Sequence, residues 1–341
     1  MESFSSEEQP VSLRDILDVV KSQALADKVD LLTELIMESR SEGTVKCYYS
    51  AFMRWKKWAQ SYGISESEAL PAKAFNVALY LVSLVQNSRS PGPVISAFYG
   101  IKWAHSLISA PSPTECVLVK NVLEGAKRRF NSTVKKEPIT PDLLQKMYDA
   151  LHSRDNLYNK RTICACLISY AGFLRVSELL NLRISDFEFF PTHMSIFIEK
   201  SKTDVYREGN WLVISRTGTK LCPVSNIEDF FCYVKFSEYD SFVFRDFTKT
   251  RNGYILRKEN KHISYTRMRE LFIEAFSPFV VDIHKYGLHS LRAGGATAAA
   301  NCGVPDRLFK RHGRWKSETA KDGYVKDDLC NRLFVSKNLG I

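Results

Sequence analysis

The chain lacks the cysteine spacing of a zinc site. Its eight cysteines are scattered, and the nearest pair, Cys164 and Cys166, forms a C-x-C on an apolar, helix-like run that reads as core rather than as metal ligands. No apolar run approaches the length of a membrane span, which excludes a helical integral membrane protein. There is no internal repeat and no low-complexity tract, so neither a repeat array nor a fibrous chain is expected. No signal-peptide pattern opens the sequence. The expected setting is therefore a reducing intracellular compartment: the nucleus in a eukaryotic host, cytoplasm or nucleoid otherwise.

What is present is an ordinary globular composition, 45% hydrophobic and 25% charged, over 341 residues, enough for two domains. The formal net charge is +10, which favours an anionic partner. The charge is unevenly placed. Residues 1–42 hold 4 Lys+Arg against 10 Asp+Glu, net −6, whereas residues 43–132 hold 11 against 4, net +7, and residues 133–341 hold 33 against 24, net +9. An acidic leader thus precedes two basic segments, either of which could meet a polyanion or simply be a solvated surface.

Along the chain, residues 1–10 are polar and expected to be a disordered leader. Residues 11–132 read as an all-helical domain. Apolar positions of helical spacing run through 11–38, Ser41 or Thr44 can cap a helix to Tyr62, and further helices are expected over 72–85, 94–108 and 115–130. Tyr48, Phe52, Trp55 and Trp58 form an aromatic stripe best read as core. The opposite face carries Lys46, Arg54, Lys56 and Lys57, and the last helix ends in Lys127, Arg128 and Arg129. These cations suit phosphates, although basic residues at a helix C-terminus also simply match its dipole. A polar linker, 133–139, leads to a second domain, 140–341. That domain is expected to hold a helix from Thr140-Pro141 to Leu151, a buried helix over 163–174, and strands over 194–199 and 211–214 flanking a polar turn with Lys200 and Lys202. Helices are expected over 227–236 and 265–276, with a short terminal helix over 329–339. Residues 240–262 carry no clear pattern. The fold class is mainly α with a small antiparallel sheet in the C-terminal domain.

The stretch from His289 to Tyr324 organises the second domain. An Ala-rich helix over 289–301 puts His289 and Arg292 one turn apart on one face. Gly303 stops it, Pro305 can start the next helix, and a third helical piece carries Tyr324, nine residues beyond Trp315. Earlier, Arg175 follows an apolar run, with Glu178 one turn on to hold it. Two arginine forks can bind the non-bridging oxygens of a phosphodiester. His289 can donate to the same phosphate or shuttle a proton. Trp315 can add an indole N–H, and Tyr324 can attack to give a covalent phosphotyrosine. Lys202 can protonate the leaving 5′-oxygen. No metal or other cofactor is required, because cations and donors supply the electrostatic stabilisation. Taken singly, each residue has a plainer role: Arg175 an ion-pair partner of Glu178, His289 a helix-end histidine, Trp315 core, Tyr324 one of 15 tyrosines. Their order and spacing together carry the signal.

At these positions the sequence resembles the tyrosine recombinase/integrase family, in Cre-like form. GFLRVSELLNLRISDF matches the first arginine box, IFIEKSKTDV the sheet lysine, and LHSLRAGGA the HxxR box, with Trp315 and Tyr324 completing the set. Many members carry His where Trp315 stands. His312, three residues earlier, competes for that role, as Lys200 competes with Lys202; the spacing to Tyr324 favours Trp315. The resemblance implies a two-domain clamp on duplex DNA, with an all-α core-binding domain and a recombinase catalytic domain. It also implies a homotetramer on paired specific sites, weakly associated or monomeric when free, and strand exchange through a Holliday junction. The acidic leader and the Cys- and Ser-rich style point to a eukaryotic mobile element.

Overall fold

The computed structural model describes residues 23–130, 135–154, 156–199, 208–236, 238–251 and 253–340. The expected leader 1–10, the first part of the helical pattern over 11–38, and Lys200 and Lys202 lie outside the described residues. The chain divides into two compact units between Val134 and Lys135.

The first unit is helical. It contains α1 (Gln23–Glu38), α2 (Glu42–Ser61), α3 (Glu66–Ala69), α4 (Ala74–Asn87), α5 (Gly92–Leu107) and α6 (Val117–Arg129). The aromatic stripe of α2 faces inward: Trp55 and Phe52 are buried, and Tyr48 and Trp58 pack beside them. The Trp55 indole N–H donates to the Ala69 carbonyl at 3.0 Å. His105 is buried with both ring nitrogens engaged: Nε2 accepts from the Ala72 N–H at 2.8 Å, so Nδ1 donates to the Ile101 carbonyl at 2.7 Å. Burial lowers its pKa. The basic residues of α2 lie outside, Lys46 paired with Glu42 and Lys56 with Glu66. At the end of α6, Lys127 pairs with Glu124 at 2.7 Å, and all three terminal basic side chains are exposed.

The second unit surrounds α8 (Leu157–Ala171), an apolar helix buried along most of its length. Before it comes α7 (Pro141–His152), where Thr140 caps the helix by accepting from the Leu143 N–H at 3.3 Å. After it come α9 (Val176–Leu180) and an antiparallel sheet of β1 (Phe187–Phe189), β2 (His193–Ile198) and β3 (Asn210–Ser215), in that order. Then follow α10 (Pro223–Val234), a hairpin of β4 (Phe247–Thr250) and β5 (Gly253–Leu256), and α11 (Tyr265–Phe276). The chain closes with α12 (His289–Asn301), α13 (Asp306–Gly313), α14 (Glu318–Asp322) and α15 (Leu329–Lys337). Cys164 and Cys166 are core residues of α8, as their apolar setting implies.

Several expectations are corrected. The buried helix begins at Leu157 rather than residue 163 and stops at Ala171, because Phe173 takes left-handed backbone, φ +47°, which an α-helix cannot continue. Residues 240–262 contain the β4–β5 hairpin, whose strands are too short and too exposed to alternate visibly in sequence. Pro305 caps α13 instead of entering its first turn. Tyr324 lies just past the end of α14, not within a helix. The α15 helix has no buried residue. Among the described residues no helix is long and apolar enough to cross a membrane.

Candidate active site

The junction from α8 to α9 builds the first wall. Arg175 is the N-cap of α9. Its backbone N–H donates to Glu178 Oε2 at 2.9 Å and its Nη1 to Oε1 at 2.7 Å, so one carboxylate both caps the helix and holds the guanidinium. The Arg175 side chain keeps 12% of its surface open, while that of Glu178 keeps 1%.

Helix α12 builds the second wall. It approaches α8 closely because positions 294 and 295 are glycines. A Cβ on Gly294 would overlap the Ile139 carbonyl, and one on Gly295 the Tyr170 carbonyl. This approach carries Arg292 into the interior, where it is fully buried. Its Nη1 donates to the Phe173 carbonyl and its Nη2 to the Gly313 carbonyl at 2.8 Å. Its guanidinium carbon lies 4.9 Å from the ring centres of both Trp315 and Tyr324. Burial, then the nearby Arg175 charge, push the Arg292 pKa down to about 10 against the opposing pull of Glu178. His289, at the start of the same helix, is exposed.

The third wall is the segment after α13. Gly313 lets the Trp315 ring lie directly on the backbone, for a Cβ there would fall inside the indole. Trp315 packs with Phe173, Ala296 and Phe309, and Tyr324 lies against this cluster with its ring 5.7 Å from the indole. Tyr324 is half-buried and held by its backbone: its N–H donates to the Lys321 carbonyl at 3.0 Å, and its carbonyl accepts from Thr297 Oγ1 at 3.3 Å. Lys321, itself buried, pairs with Asp306 and Glu318 and so ties α14 to α13.

Arg175, Glu178, Arg292, Trp315 and Tyr324 are thereby joined by a continuous set of contacts. His312 is directed elsewhere. Its Nε2–H donates to the Ala171 carbonyl at 2.7 Å and its ring stands edge-on to Phe173, so the geometry favours Trp315 for the position the two contest. Three donors in this region are buried without a partner: Arg292 Nε, Trp315 Nε1 and Arg314 Nε. Buried donors are normally paired, and a cluster of unpaired ones beside cations suits an anion. Among the described residues no group of three or more His, Cys, Asp or Glu is arranged to hold a metal ion.

Sequence reasoning missed Arg314, Gly313, Thr297 and Lys321. A charge wedged between Gly313 and Trp315 was the one available signal. The supporting roles of Gly313, Thr297 and Lys321 depend on tertiary contacts.

Comparison with known proteins agrees with this architecture. The phage integrase family matches residues 137–328. An integrase/recombinase xerD homolog of Selenomonas ruminantium is 22% identical over 307 residues, 87% of each chain. Among solved structures, the XerH site-specific recombinase in a post-cleavage complex with palindromic difH substrate superposes with TM-score 0.64, at 13% identity, covering 96% of this chain and 87% of that one. A lambda integrase (75–356) dimer bound to a COC′ core site gives TM-score 0.54 at 16% identity, covering 94% and 97%. A lambda integrase tetramer bound to a Holliday junction gives 0.51 at 16%, covering 94% and 79%. The chain belongs to the phage integrase family, the tyrosine-type site-specific DNA recombinases.

Proposed function

We propose that this protein cuts and rejoins duplex DNA at paired specific sites with Tyr324 as nucleophile. The phenol oxygen of Tyr324 forms a bond to the scissile phosphorus as the bond to the 5′-oxygen breaks. This leaves a 3′-phosphotyrosine and a free 5′-hydroxyl. The phenol proton passes to a base, with His289 the candidate shuttle, and Lys202 protonates the leaving oxygen. Arg175 and Arg292 bind the non-bridging oxygens, Trp315 adds its indole N–H, and Glu178 holds the arginines. Reversal with a 5′-hydroxyl from the partner duplex exchanges the strands, and two such rounds pass through a Holliday junction. The working assembly is a homotetramer on DNA, for which the lambda integrase tetramer supplies the analogy, and the source is a mobile element. Lys46, Arg54, Lys56, Lys57, Lys127, Arg128, Arg129 and Lys200 are the proposed phosphate contacts outside the reacting centre.

The observation that carries this reading is the pair of buried, unpartnered donors, Arg292 Nε and Trp315 Nε1, beside Tyr324. An anion brought next to the phenol satisfies both. The test is trapping on nicked duplexes drawn from the DNA flanking the gene, without added metal. A denaturation-resistant adduct that Tyr324→Phe eliminates is the expected result. Tight binding with no adduct on either flank would favour a DNA-binding role on a recombinase scaffold. Relaxation of supercoiled plasmid without sequence preference would favour a type IB topoisomerase.

A further inference from the structure

Arg314 has no part in the reaction scheme above, yet it is the most heavily bonded cation in the site. Its side chain is 5% exposed. Nη2 donates to Glu178 Oε2 at 2.9 Å and to the Phe173 carbonyl at 3.3 Å, while Nη1 donates to the carbonyls of His312 at 2.9 Å and Gly172 at 3.2 Å. It therefore ties the end of α8 and the start of α9 to the end of α13. It does so from left-handed backbone, φ +55°, a conformation that suits glycine and costs an arginine on the order of 1 kcal/mol. A residue kept there against its own preference is held by its side-chain contacts.

Those contacts bear on Arg292. Arg292 Nη1 lies 3.8 Å from Glu178 Oε2, the same oxygen that Arg314 occupies. The two arginines also share the Phe173 carbonyl. Without Arg314, Oε2 would keep only the Arg175 backbone N–H, and its remaining lone pair would be open to Arg292. Its guanidinium would then close onto Glu178 into a full ion pair, turning donors away from an incoming anion. The Arg175 guanidinium, by contrast, is bound to the other oxygen, Oε1, and keeps part of its surface open.

We infer that Arg314 is a positioning residue: by occupying Glu178 Oε2, it keeps Arg292 directed toward the scissile phosphate. Both its terminal nitrogens are consumed by protein acceptors, which leaves Nε as its one unpaired donor. The inference rests on the strand-transfer reading for its kinetic consequence but not for its structural one.

The test uses the full chain with Arg314→Gly, which fits the left-handed backbone, and Arg314→Lys, which keeps the charge but cannot span the same acceptors. Two quantities are read: the single-turnover rate of Tyr324 adduct formation on a nicked duplex, and the Arg292 Nε–H resonance in arginine-labelled protein. The glycine variant should bind the duplex like the wild type but form adduct about 10²-fold more slowly, the usual effect of misplacing a reacting group by an ångström. Added guanidinium ion should restore part of the rate. Its Arg292 resonance should shift as the guanidinium closes onto Glu178, and Arg314→Lys should fall between. An unmoved resonance, with either a normal or a slowed rate, overturns the inference. If the wild type itself forms no adduct, strand transfer is what fails, and the resonance alone decides the role of Arg314. Should the glycine variant not fold, the lysine variant carries the same two readouts.

Discussion

Trp55 and Trp315, one buried in each unit, make a contrast. Trp55 in the helical unit donates its indole N–H to a carbonyl 14 residues away and completes a paired core. Trp315 in the second unit is also buried, but its indole N–H has no partner. The contrast is general. Among the described residues, every buried side-chain nitrogen or oxygen left without a partner belongs to the second unit, and Arg292, Arg314 and Trp315 lie around one site. A core that only has to be stable satisfies its donors. A site that has to receive an anion holds some in reserve, at a cost of about 1–3 kcal/mol for each unmade bond.

The sharpest way to break this comparison is to remove the reserved donors. Arg292→Ala should slow adduct formation by roughly 10²–10³, the effect of deleting one donor to a developing anion. The chain's thermal stability should fall as well, because the change removes a fully buried cation from Glu178 and from the Phe173 and Gly313 carbonyls, so the rate is read on the folded protein. Near-normal cleavage would sink the assignment of Arg292. The tryptophans then make a crossed pair. Trp315→Phe should slow cleavage by about 10²-fold with little loss of stability, whereas Trp55→Phe should cost roughly 1–3 kcal/mol in a denaturant melt and leave the cleavage rate of the folded protein unchanged. If both variants change the same quantity, the distinction between the two cores is false.

A smaller effect is expected where the site is shaped rather than lined. Gly295→Ala forces a methyl group against the Tyr170 carbonyl. It should destabilise the chain by about 1–3 kcal/mol, and reduce cleavage by displacing Arg292, both measurable on one preparation.

The smallest effect distinguishes the buried His105 from the half-buried His312 by pH. The folded pKa of His105 lies below its unfolded value of about 6.5. As pH falls, the unfolded chain takes up this proton first. The stability His105 contributes is therefore present above about pH 6.5 and is lost below it. Protonation would also set a new N–H against the Ala72 N–H. Burial lowers the pKa of His312 too, with the Arg314 and Arg292 charges adding to the shift, so its contribution has the same sign. Its Nε2–H bond to Ala171 survives protonation, however. Urea midpoints at pH 7.5 and 5.5 should fall together for the wild type, and His105→Leu should flatten that dependence more than His312→Leu does.

The legibility of the chain follows the range of its interactions. The longer helices of the first unit, the Thr140 cap and the Arg175–Glu178 pair depend on neighbours within four residues and were readable; the one-turn α3 was not, and the choice between Ser41 and Thr44 as a cap stayed open until the structure placed Ser41 there. The β4–β5 hairpin was not readable, since its strands are only four residues each with half-exposed faces. Nor was the position of Tyr324 past the helix end, which the Thr297 and Lys321 contacts decide.

By itself the sequence determined which chemical groups are available and in what order: two arginine forks, a histidine one turn before the second, and an indole nine residues before a phenol. The tertiary structure alone decided which of their donors remain unspent. Arg292 gives its terminal nitrogens to carbonyls 119 and 21 residues distant, and Arg314 reaches Glu178 across 136 residues. A backbone carbonyl has no sequence signature, because every residue carries one. Whether a donor is paired or held in reserve is settled only when the chain has folded around it.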